Sequence, residues 1–517
     1  MKQVKAKGRV AGVLKAAVIV CVAAVWFFGT YAAAVTVAGV TLSVDSDVEY
    51  QTLEGFGASA AWTFQSLGGE DDETVAKAAE MLYGDSGLAL SIFRYNIGAG
   101  SAEPIFDGVF PYNSGWFDGE RRAESFFKAE NYKTLSDFAD EGNYDFTKDA
   151  QAMRAFEKCM ETGNVERLVL FANSPHYLMT ESGKTTGDYE YQNNLREDSY
   201  GAFCDYLLII AKNFYTSLAA KGYFPRILLS PINEPQWKWG GESASQEGCH
   251  YDPKPLAAFA DVFFKKLKAF NEANGLSIEA DLFECGNYKI RLTGPDILDY
   301  LDAMSKYEYF DEMTHISVHS YGANTDKIAR RGLSLIMKKY PNLKVSQTEV
   351  CEMEWGRFDT IESGLFLGKM ISRDLTYYDA TDWSWWLGLA RGDYNDGLVY
   401  WDIKDGVNEL SVLKRYYVMG HYTKYLGIGD KRVGVSSSDF VNMSGLDYSA
   451  FKKADGSIVL IVINEGLDNK ITVKANGSSA TVVTTSATQN QETFSLDFSG
   501  SLKLNLKGKS ITTVVLR

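Results

Sequence analysis

Ile227-Leu-Leu-Ser-Pro-Ile-Asn-Glu234-Pro-Gln-Trp237 is an apolar run that stops abruptly. Pro235 has no amide hydrogen and cannot continue a central strand, so the chain must leave a sheet at Asn233-Glu234. In a barrel, active sites sit at that end of the strands. Asn-Glu-Pro alone is also an ordinary turn with a solvated acid, so its weight comes from its surroundings.

The same rhythm extends on both sides. Strand-like runs stand at Gly55–Ser59, Leu90–Asn96, Arg167–Ala172, Ile227–Glu234, Ile278–Glu284, His315–Tyr321, Lys344–Val350 and Trp383–Leu387. Between them, Glu73–Leu82, Asp149–Glu161, Tyr200–Ala220, Pro255–Asn274, Gly294–Ser305, Asp326–Tyr340 and Glu362–Tyr378 carry apolar residues at three- and four-residue spacing. Strands alternating with helical crossovers predict an α/β fold, a (β/α)8 TIM barrel over 54–424. A doubly wound open sheet is the alternative, but no G-x-G-x-x-G follows the first strand. From 425 to 517 the pattern changes. Ile458–Asn464, Ile471–Lys474, Ala480–Thr485, Thr493–Leu496, Leu502–Leu506 and Ser510–Leu516 are short runs between Gly, Asn and Ser turns, the pattern of an all-β sandwich. Residues 35–53 begin with the strand-like Val35–Val44, expected to pair into that sandwich. No Pro- or Ser-rich linker separates the two parts, so a close junction is expected.

Residues 1–34 read as an address. Lys2, Lys5, Lys7, Arg9 and Lys15 precede the apolar Ala16–Gly29, and Ala32 and Ala34 supply an A-x-A cleavage site. A secreted monomer is expected, without stable membrane association after cleavage; an uncleaved signal would be an anchor. The chain has 67 acidic and 52 basic residues and a net charge of −15. That sign repels nucleic acid and anionic lipid. The five histidines form no Cys/His cluster, so no metal is expected. Cys159, Cys204, Cys249, Cys285 and Cys351 are widely spaced and odd in number, which indicates no disulfide framework, though one bridge remains open. The long Gly98–Tyr144 segment carries Phe106, Phe110, Tyr112, Trp116 and Phe117. It either walls one side of a cleft or folds as a separate aromatic ornament.

A second acid, Glu349, closes the run Lys344-Val-Ser-Gln-Thr-Glu349, with Glu352 and Glu354 on the loop beyond. Carboxylates on two strand ends suit glycoside hydrolysis, in which one donates a proton and the other attacks or activates water. A separation of about 5 Å gives retention and roughly 6.5–9.5 Å gives inversion. Of ten tryptophans, Trp62, Trp237, Trp239, Trp355, Trp383, Trp385, Trp386 and Trp401 follow strand ends, where they serve as sugar platforms or as core. Period two forbids Trp385 and Trp386 from both facing the cleft. His315 and His319 share a face, with His319 and Tyr321 expected in the cleft and His315 deeper.

In chain order, Gln51-Thr-Leu-Glu-Gly-Phe-Gly-Ala58, Phe93-Arg94-Tyr-Asn-Ile-Gly98, Asn173-Ser-Pro175, Pro231-Ile-Asn-Glu-Pro235, His319-Ser-Tyr321 and Gln347-Thr-Glu349 together resemble glycoside hydrolase family 30. The resemblance implies a barrel with a side β-sandwich built from both chain ends, and retaining hydrolysis of β-glycosides without a cofactor. It implies Glu234 as general acid/base and Glu349 as nucleophile. It also implies Asn233 on the sugar 2-hydroxyl and Arg94 as the cation that keeps the nucleophile ionised. Trp62, Asn173, His176, Tyr177, Trp237, His319, Tyr321 and Trp386 complete the expected substrate-binding set. One departure is Ser174-Pro175-His176-Tyr177-Leu178-Met179, where many members carry Ser-Pro-Pro and then Trp-Met. The stretches Gln236–His250 and Trp385–Leu398 are most similar to the endo-β-1,6-galactanase branch, which acts on arabinogalactan side chains. Glucuronoxylanase, with Arg391 meeting a uronate, β-1,6-glucanase and glucosylceramidase are the alternatives within the family. A catalytically silent carbohydrate-binding protein is the alternative outside it.

Overall fold

Apolar runs of about five residues bury both faces only when helices cover one side and other strands fill the other. The computed structural model describes residues 39–102, 123–187, 192–240, 246–289, 294–439, 442 and 444–517. The proposed signal, residues 1–34, and the aromatics Phe106 to Phe117 lie outside them. Strand β1 (Val40–Thr52) is followed by β2 (Gly55–Ser59), β3 (Ile92–Asn96), β4 (Arg167–Phe171), β5 (Arg226–Ser230), β6 (Glu279–Ala280), β7 (Glu284–Cys285), β8 (His315–His319), β9 (Lys344–Glu349) and β10 (Asp382–Ala390). From β2 to β10 these strands pair in parallel, in the order β6-β5-β4-β3-β2-β10-β9-β8-β7.

The ring closes through a strand that is split. The segment 279–285 pairs with β5 at its start and with β8 at its end. Asn233, just past β5, bridges Glu284 in parallel. The sequence reads Ile278–Glu284 as one strand, but Asp281, Leu282 and Phe283 are unpaired by sheet criteria, and Asp281 N–H donates to the Leu229 carbonyl at 2.9 Å. One short segment thus crosses from one neighbour to the other, the stagger that tilted barrel strands require.

The expected helices form the outer ring, with ends shifted by up to three residues. Asp71 accepts from Thr74 N–H to cap Asp72–Tyr83, and Gly275, at φ +63°, ends Pro253–Asn274. Beyond β10 the chain forms a hairpin of β11 (Gly397–Lys404) and β12 (Val407–Val412), absent from the expected strands. It turns at Asp405-Gly406, both with positive φ, as a two-residue hairpin turn requires.

The remaining strands are β13 (Lys431–Ser437), β14 (Leu446–Lys452), β15 (Ile458–Asn464), β16 (Asn469–Lys474), β17 (Ser479–Ser486), β18 (Glu492–Asp497), β19 (Leu502–Leu506) and β20 (Ser510–Leu516). They form the side sandwich in the order β18-β17-β20-β15-β14-β13-β1-β16-β19. Strand β1 lies antiparallel to β13 and parallel to β16, so both ends of the described chain enter one sheet. Strand β15 joins the two halves by its alternation. Leu460 and Val462 enter the sandwich core, whereas Val459, Ile461 and Ile463 pack into the main core beneath the barrel helices. Each such aliphatic side chain contributes ~1.5–3 kcal/mol on burial. All five described cysteines are buried, and none of them forms a disulfide. Burial holds the Cys159 and Cys351 thiols well above the usual range.

Candidate active site

At the C-terminal mouth of the barrel, the backbone of β7 fixes the residues that follow β5. Glu234 N–H donates to the Glu284 carbonyl at 2.8 Å, and Glu284 N–H donates to the Ile232 carbonyl at 2.9 Å. Glu234 takes φ +47°, left-handed backbone that a non-glycine residue rarely adopts. Its carbonyl accepts from Trp237 N–H at 3.2 Å and from the Trp239 indole at 3.1 Å. Four hydrogen bonds thus surround this strained residue and aim its side chain into the mouth.

Glu349 ends β9 opposite. The ladder pairs Val318 with Gln347 and then His319 with Glu349, so Thr348 is the extra residue of a bulge. The bulge breaks strict alternation and brings Glu349 level with His319. Arg94 Nη1 lies 2.9 Å from Glu349 Oε2, and the Tyr321 hydroxyl donates to Oε1 at 2.9 Å. One carboxylate oxygen of Glu234, one of Glu349 and a His319 ring nitrogen all lie within 4.8 Å of one another.

A third carboxylate underlies this pair. Glu284 lies 3.1 Å from both Arg94 Nη2 and His319 Nε2, and accepts from Ser230 Oγ at 2.8 Å. His319 Nδ1 meets Glu234 Oε1 at 2.8 Å, so both ring nitrogens donate to carboxylates, as an imidazolium does. Burial alone would lower the His319 pKa, but Glu349, Glu234 and Glu284 raise it to about 10. Burial opposes the charge on Glu284 as well, yet Arg94 and His319 hold its carboxyl well below the usual range. For Glu349, burial pushes the pKa upward, with Glu234 and Glu284 adding to it against His319 and Arg94, and the net direction is up. Burial keeps Tyr321 a protonated donor.

Glu234, His319 and Glu349 would also supply three ligand atoms for a cation. In this arrangement Arg94 and His319 already pair with the carboxylates, and a protonated imidazole offers no lone pair to a metal.

An amide ladder flanks the acids. Asn233 Oδ1 accepts from Arg94 at 3.3 Å, Asn233 Nδ2 donates to Asn173 Oδ1 at 3.0 Å, and Asn173 Nδ2 donates to Asn96 Oδ1 at 2.8 Å. The Arg94 guanidinium lies 3.5 Å from the Phe171 ring centroid and 5.8 Å from that of Trp386. Trp62 meets Trp386 edge-on at 5.6 Å. Trp386 is half-buried beside Arg94, whereas Trp385 is fully buried with its indole on the Asp396 carbonyl. His315 lies at the other end of the barrel, 3.2 Å from Glu54.

His176 and Tyr177 sit in an aromatic cluster. His176 is 0% exposed, packed among Phe127, Phe138, Tyr177 and Tyr206, and burial lowers its pKa to about 3. Tyr177 is buried against it. The described part of the long second loop belongs to this aromatic cluster. Arg391 stacks on Trp401 at 4.5 Å.

Glu284, Phe171, Asn96 and Gly286 are the residues the sequence reading missed. Glu284 carried the same signal as Glu234 and Glu349, an acid ending a strand-like run. Gly286 follows β7, where a Cβ would fall 2.5 Å from Trp237 Nε1 and 2.6 Å from Glu234 Oε1. Beyond Trp237 a cavity of about 430 Å³ opens between Gln236, Trp237, His250, Asp252 and Asn193.

The comparisons agree with this geometry. The family model for O-Glycosyl hydrolase family 30 matches residues 39–400, and that for the Glycosyl hydrolase family 30 beta sandwich domain matches residues 429–514. The chain belongs to glycoside hydrolase family 30. An endo-beta-1,6-galactanase of Hypocrea rufa is 24% identical over 405 residues, 76% of each chain. A conserved exported protein from Bacteroides fragilis superposes with a TM-score of 0.76 at 22% identity, covering 92% of this chain and 100% of that one. The catalytic domain of the family 30 xylanase C from Talaromyces cellulolyticus gives 0.66 at 18%, covering 92% and 100%. At these identities the two structures speak to the fold. Membership in family 30 makes the protein an O-glycoside hydrolase. Among the described residues, no helix is long and apolar enough to cross a membrane.

Proposed function

We propose that this family 30 enzyme is a secreted, retaining endo-β-1,6-galactanase acting on the side chains of arabinogalactan. The observation that carries the retaining mechanism is the spacing of the acids, whose nearest oxygens lie within 4.8 Å. Direct attack needs about 5–5.5 Å between carboxyl groups, and inversion needs roughly 6.5–9.5 Å for an intervening water. In the first step a Glu349 oxygen bonds the anomeric carbon as the bond to the leaving oxygen breaks, and Glu234 gives that oxygen its proton. In the second, Glu234 takes a proton from water, the water oxygen bonds the anomeric carbon, and the ester to Glu349 breaks. Arg94 and Tyr321, both on the Glu349 carboxylate, favour its ionised form and hold it in line. The free donor capacity of the Asn233 amide suits the sugar 2-hydroxyl. Trp62 and Trp386 supply an apolar wall, and the cavity beyond Trp237 suits the leaving portion of the chain. The galactan assignment draws support from the activity named for the fungal relative and from the stretches Gln236–His250 and Trp385–Leu398.

The test is a product profile on de-arabinosylated arabinogalactan, glucuronoxylan and β-1,6-glucan, with the anomeric configuration of the first product read by NMR. β-1,6-Linked galacto-oligosaccharides released with β configuration are expected. Products from xylan or glucan instead would overturn the substrate. An α product would overturn the mechanism.

A further inference from the structure

Glu247, on the loop after β5, is 0% exposed. A carboxyl is rarely buried so deeply without polar partners to hold it. Ser101 Oγ, on the loop after β3, donates to its Oε1 at 2.6 Å. Burial lifts its pKa to about 7, against the Ser101 hydroxyl, the Ala99 backbone N–H and the Asn96 side chain, which favour the ionised form. Asn96 Nδ2 and Glu247 Oε2 are both buried without another hydrogen-bond partner among the described residues. The loop is seated on its neighbours, since Gly248 N–H donates to the Thr185 carbonyl at 2.8 Å. A Cβ on Gly248 would fall 2.3 Å from the Trp239 ring, whose indole holds the Glu234 carbonyl.

Asn96 connects this carboxyl to the acids. Asn173 Nδ2 donates to Asn96 Oδ1, Asn233 Nδ2 donates to Asn173 Oδ1, and Arg94 donates to Asn233 Oδ1. All three amide carbonyls thus point towards Arg94, and all three Nδ2 groups point towards Glu247. A guanidinium only donates, and a carboxylate only accepts. Reversing the ladder would set donor against donor at Arg94 and acceptor against acceptor at Glu247. A proton on Glu247 does not undo this, because Ser101 Oγ can accept it and leave a carboxyl oxygen for Asn96. At the far end, the orientation of Asn233 decides whether an N–H or a carbonyl meets the substrate. Hydrogen bonds to a sugar 2-hydroxyl strengthen in the transition state of glycoside hydrolysis.

We propose that Glu247 is a positioning residue for this reaction: it anchors the three-amide ladder so that Asn233 keeps an N–H for the 2-hydroxyl of the sugar at the cleaved bond. This rests on the reading of Asn233 above. It places part of the control of the transition state on a carboxyl that touches neither substrate nor the catalytic acids.

The test compares wild type, Glu247→Met and Glu247→Gln on nitrophenyl β-1,6-galactobioside and on its analogue lacking the 2-hydroxyl of the unit bound to nitrophenol. Methionine keeps the length of the side chain and removes the acceptor, whereas glutamine keeps one acceptor oxygen for Asn96. Glu247→Met should lower kcat/KM on the parent roughly tenfold, the size of one hydrogen bond lost from the transition state. It should leave the deoxy analogue unchanged, and Glu247→Gln should restore most of the loss. Equal loss on both substrates, no loss on the parent, or no restoration by glutamine would overturn the role of Glu247 and leave the reading of Asn233 intact. Wild type cleaving both substrates equally well would overturn that reading and the role of Glu247 with it. Wild type inactive on this pair but active on its gluco or xylo counterpart would overturn the galactanase reading alone, and the same comparison on that pair then decides. Should Glu247→Met not fold, Asn96→Ala cuts the ladder at the next link. A loss confined to the parent substrate supports the proposal there, and an equal loss on both refutes it.

Discussion

Replacing Gly286 with alanine should cut turnover about a hundredfold without unfolding the protein. The new Cβ would fall 2.6 Å from Glu234 Oε1, 2.8 Å from Glu234 Cδ and 2.5 Å from Trp237 Nε1. Non-bonded heavy atoms settle at about 3.5–4.0 Å, so the carboxyl, the indole or both must retreat by roughly 1 Å. A misplacement of about 1 Å at a reacting group costs on the order of a hundredfold, or ~2.7 kcal/mol of barrier. Crowding of this kind also lowers stability by about 1–3 kcal/mol, and a large, well-packed barrel should tolerate that. Gly332 is the matched control. It sits in the helix Lys327–Met337, its Cβ would meet nothing within 4 Å, and alanine there should add ~0.5–1 kcal/mol. The assay is kcat on de-arabinosylated arabinogalactan beside thermal melting of both variants. A folded Gly286→Ala protein with wild-type kcat would show that the acid does not depend on this clearance.

The remaining expectations concern charge. Glu349→Gln should lose at least about a thousandfold in kcat, because it removes the attacking oxygen, while binding of oligosaccharide measured by calorimetry persists. The His319 pKa is raised to about 10 when folded, against about 6.5 unfolded. Its ion pairs therefore stabilise fully below about pH 6.5 and are lost as pH rises through 10. The melting temperature should fall across that window, and His319→Asn should flatten the fall; a parallel slope would refute the assignment. Glu284 is one of the charges raising Glu349. Near pH 5 His319 stays protonated beside Glu234 and Glu349, so Glu284→Gln should shift the acid limb of kcat/KM to lower pH.

The legible parts of the molecule are those where one residue type fixes the backbone. Pro235 forces an exit after Glu234, and helices appear wherever apolar spacing changes from two to three and four. Illegible features depend on who the neighbours are. The break in Ile278–Glu284 exists because one segment serves β5 and then β8, and no local residue announces it. The bulge at Thr348 is set by pairing with β8 and cannot be read from Lys344–Glu349 alone. His176 and Tyr177 follow a strand end, as Asn173 does, yet the aromatic side chains of the second loop and of Tyr206 draw them into the core. Asp405-Gly406 is a hairpin signal legible in the sequence, but it lies outside the strand–helix alternation of the barrel. Glu284 went unnoticed because no proline marks its exit, although its position at the end of a run was the same clue that singled out the other two acids.

The placement of β1 between β13 and β16 has a consequence for synthesis. About 380 residues separate Thr52 from Lys431, the first residue of its antiparallel partner. At roughly 5–20 residues per second, β1 waits some 20–80 s after its own emergence before that partner exists. All the barrel strands are made in that interval, but the sheet that joins the two ends of the described chain cannot form. Until β13 arrives, β1 is a bare strand edge of the kind that recruits foreign strands. A nascent chain stalled before residue 431 would thus carry every barrel strand, an adhesive leading end and none of the β15 side chains that complete the main core, which makes late translational pausing a hazard for this protein in particular.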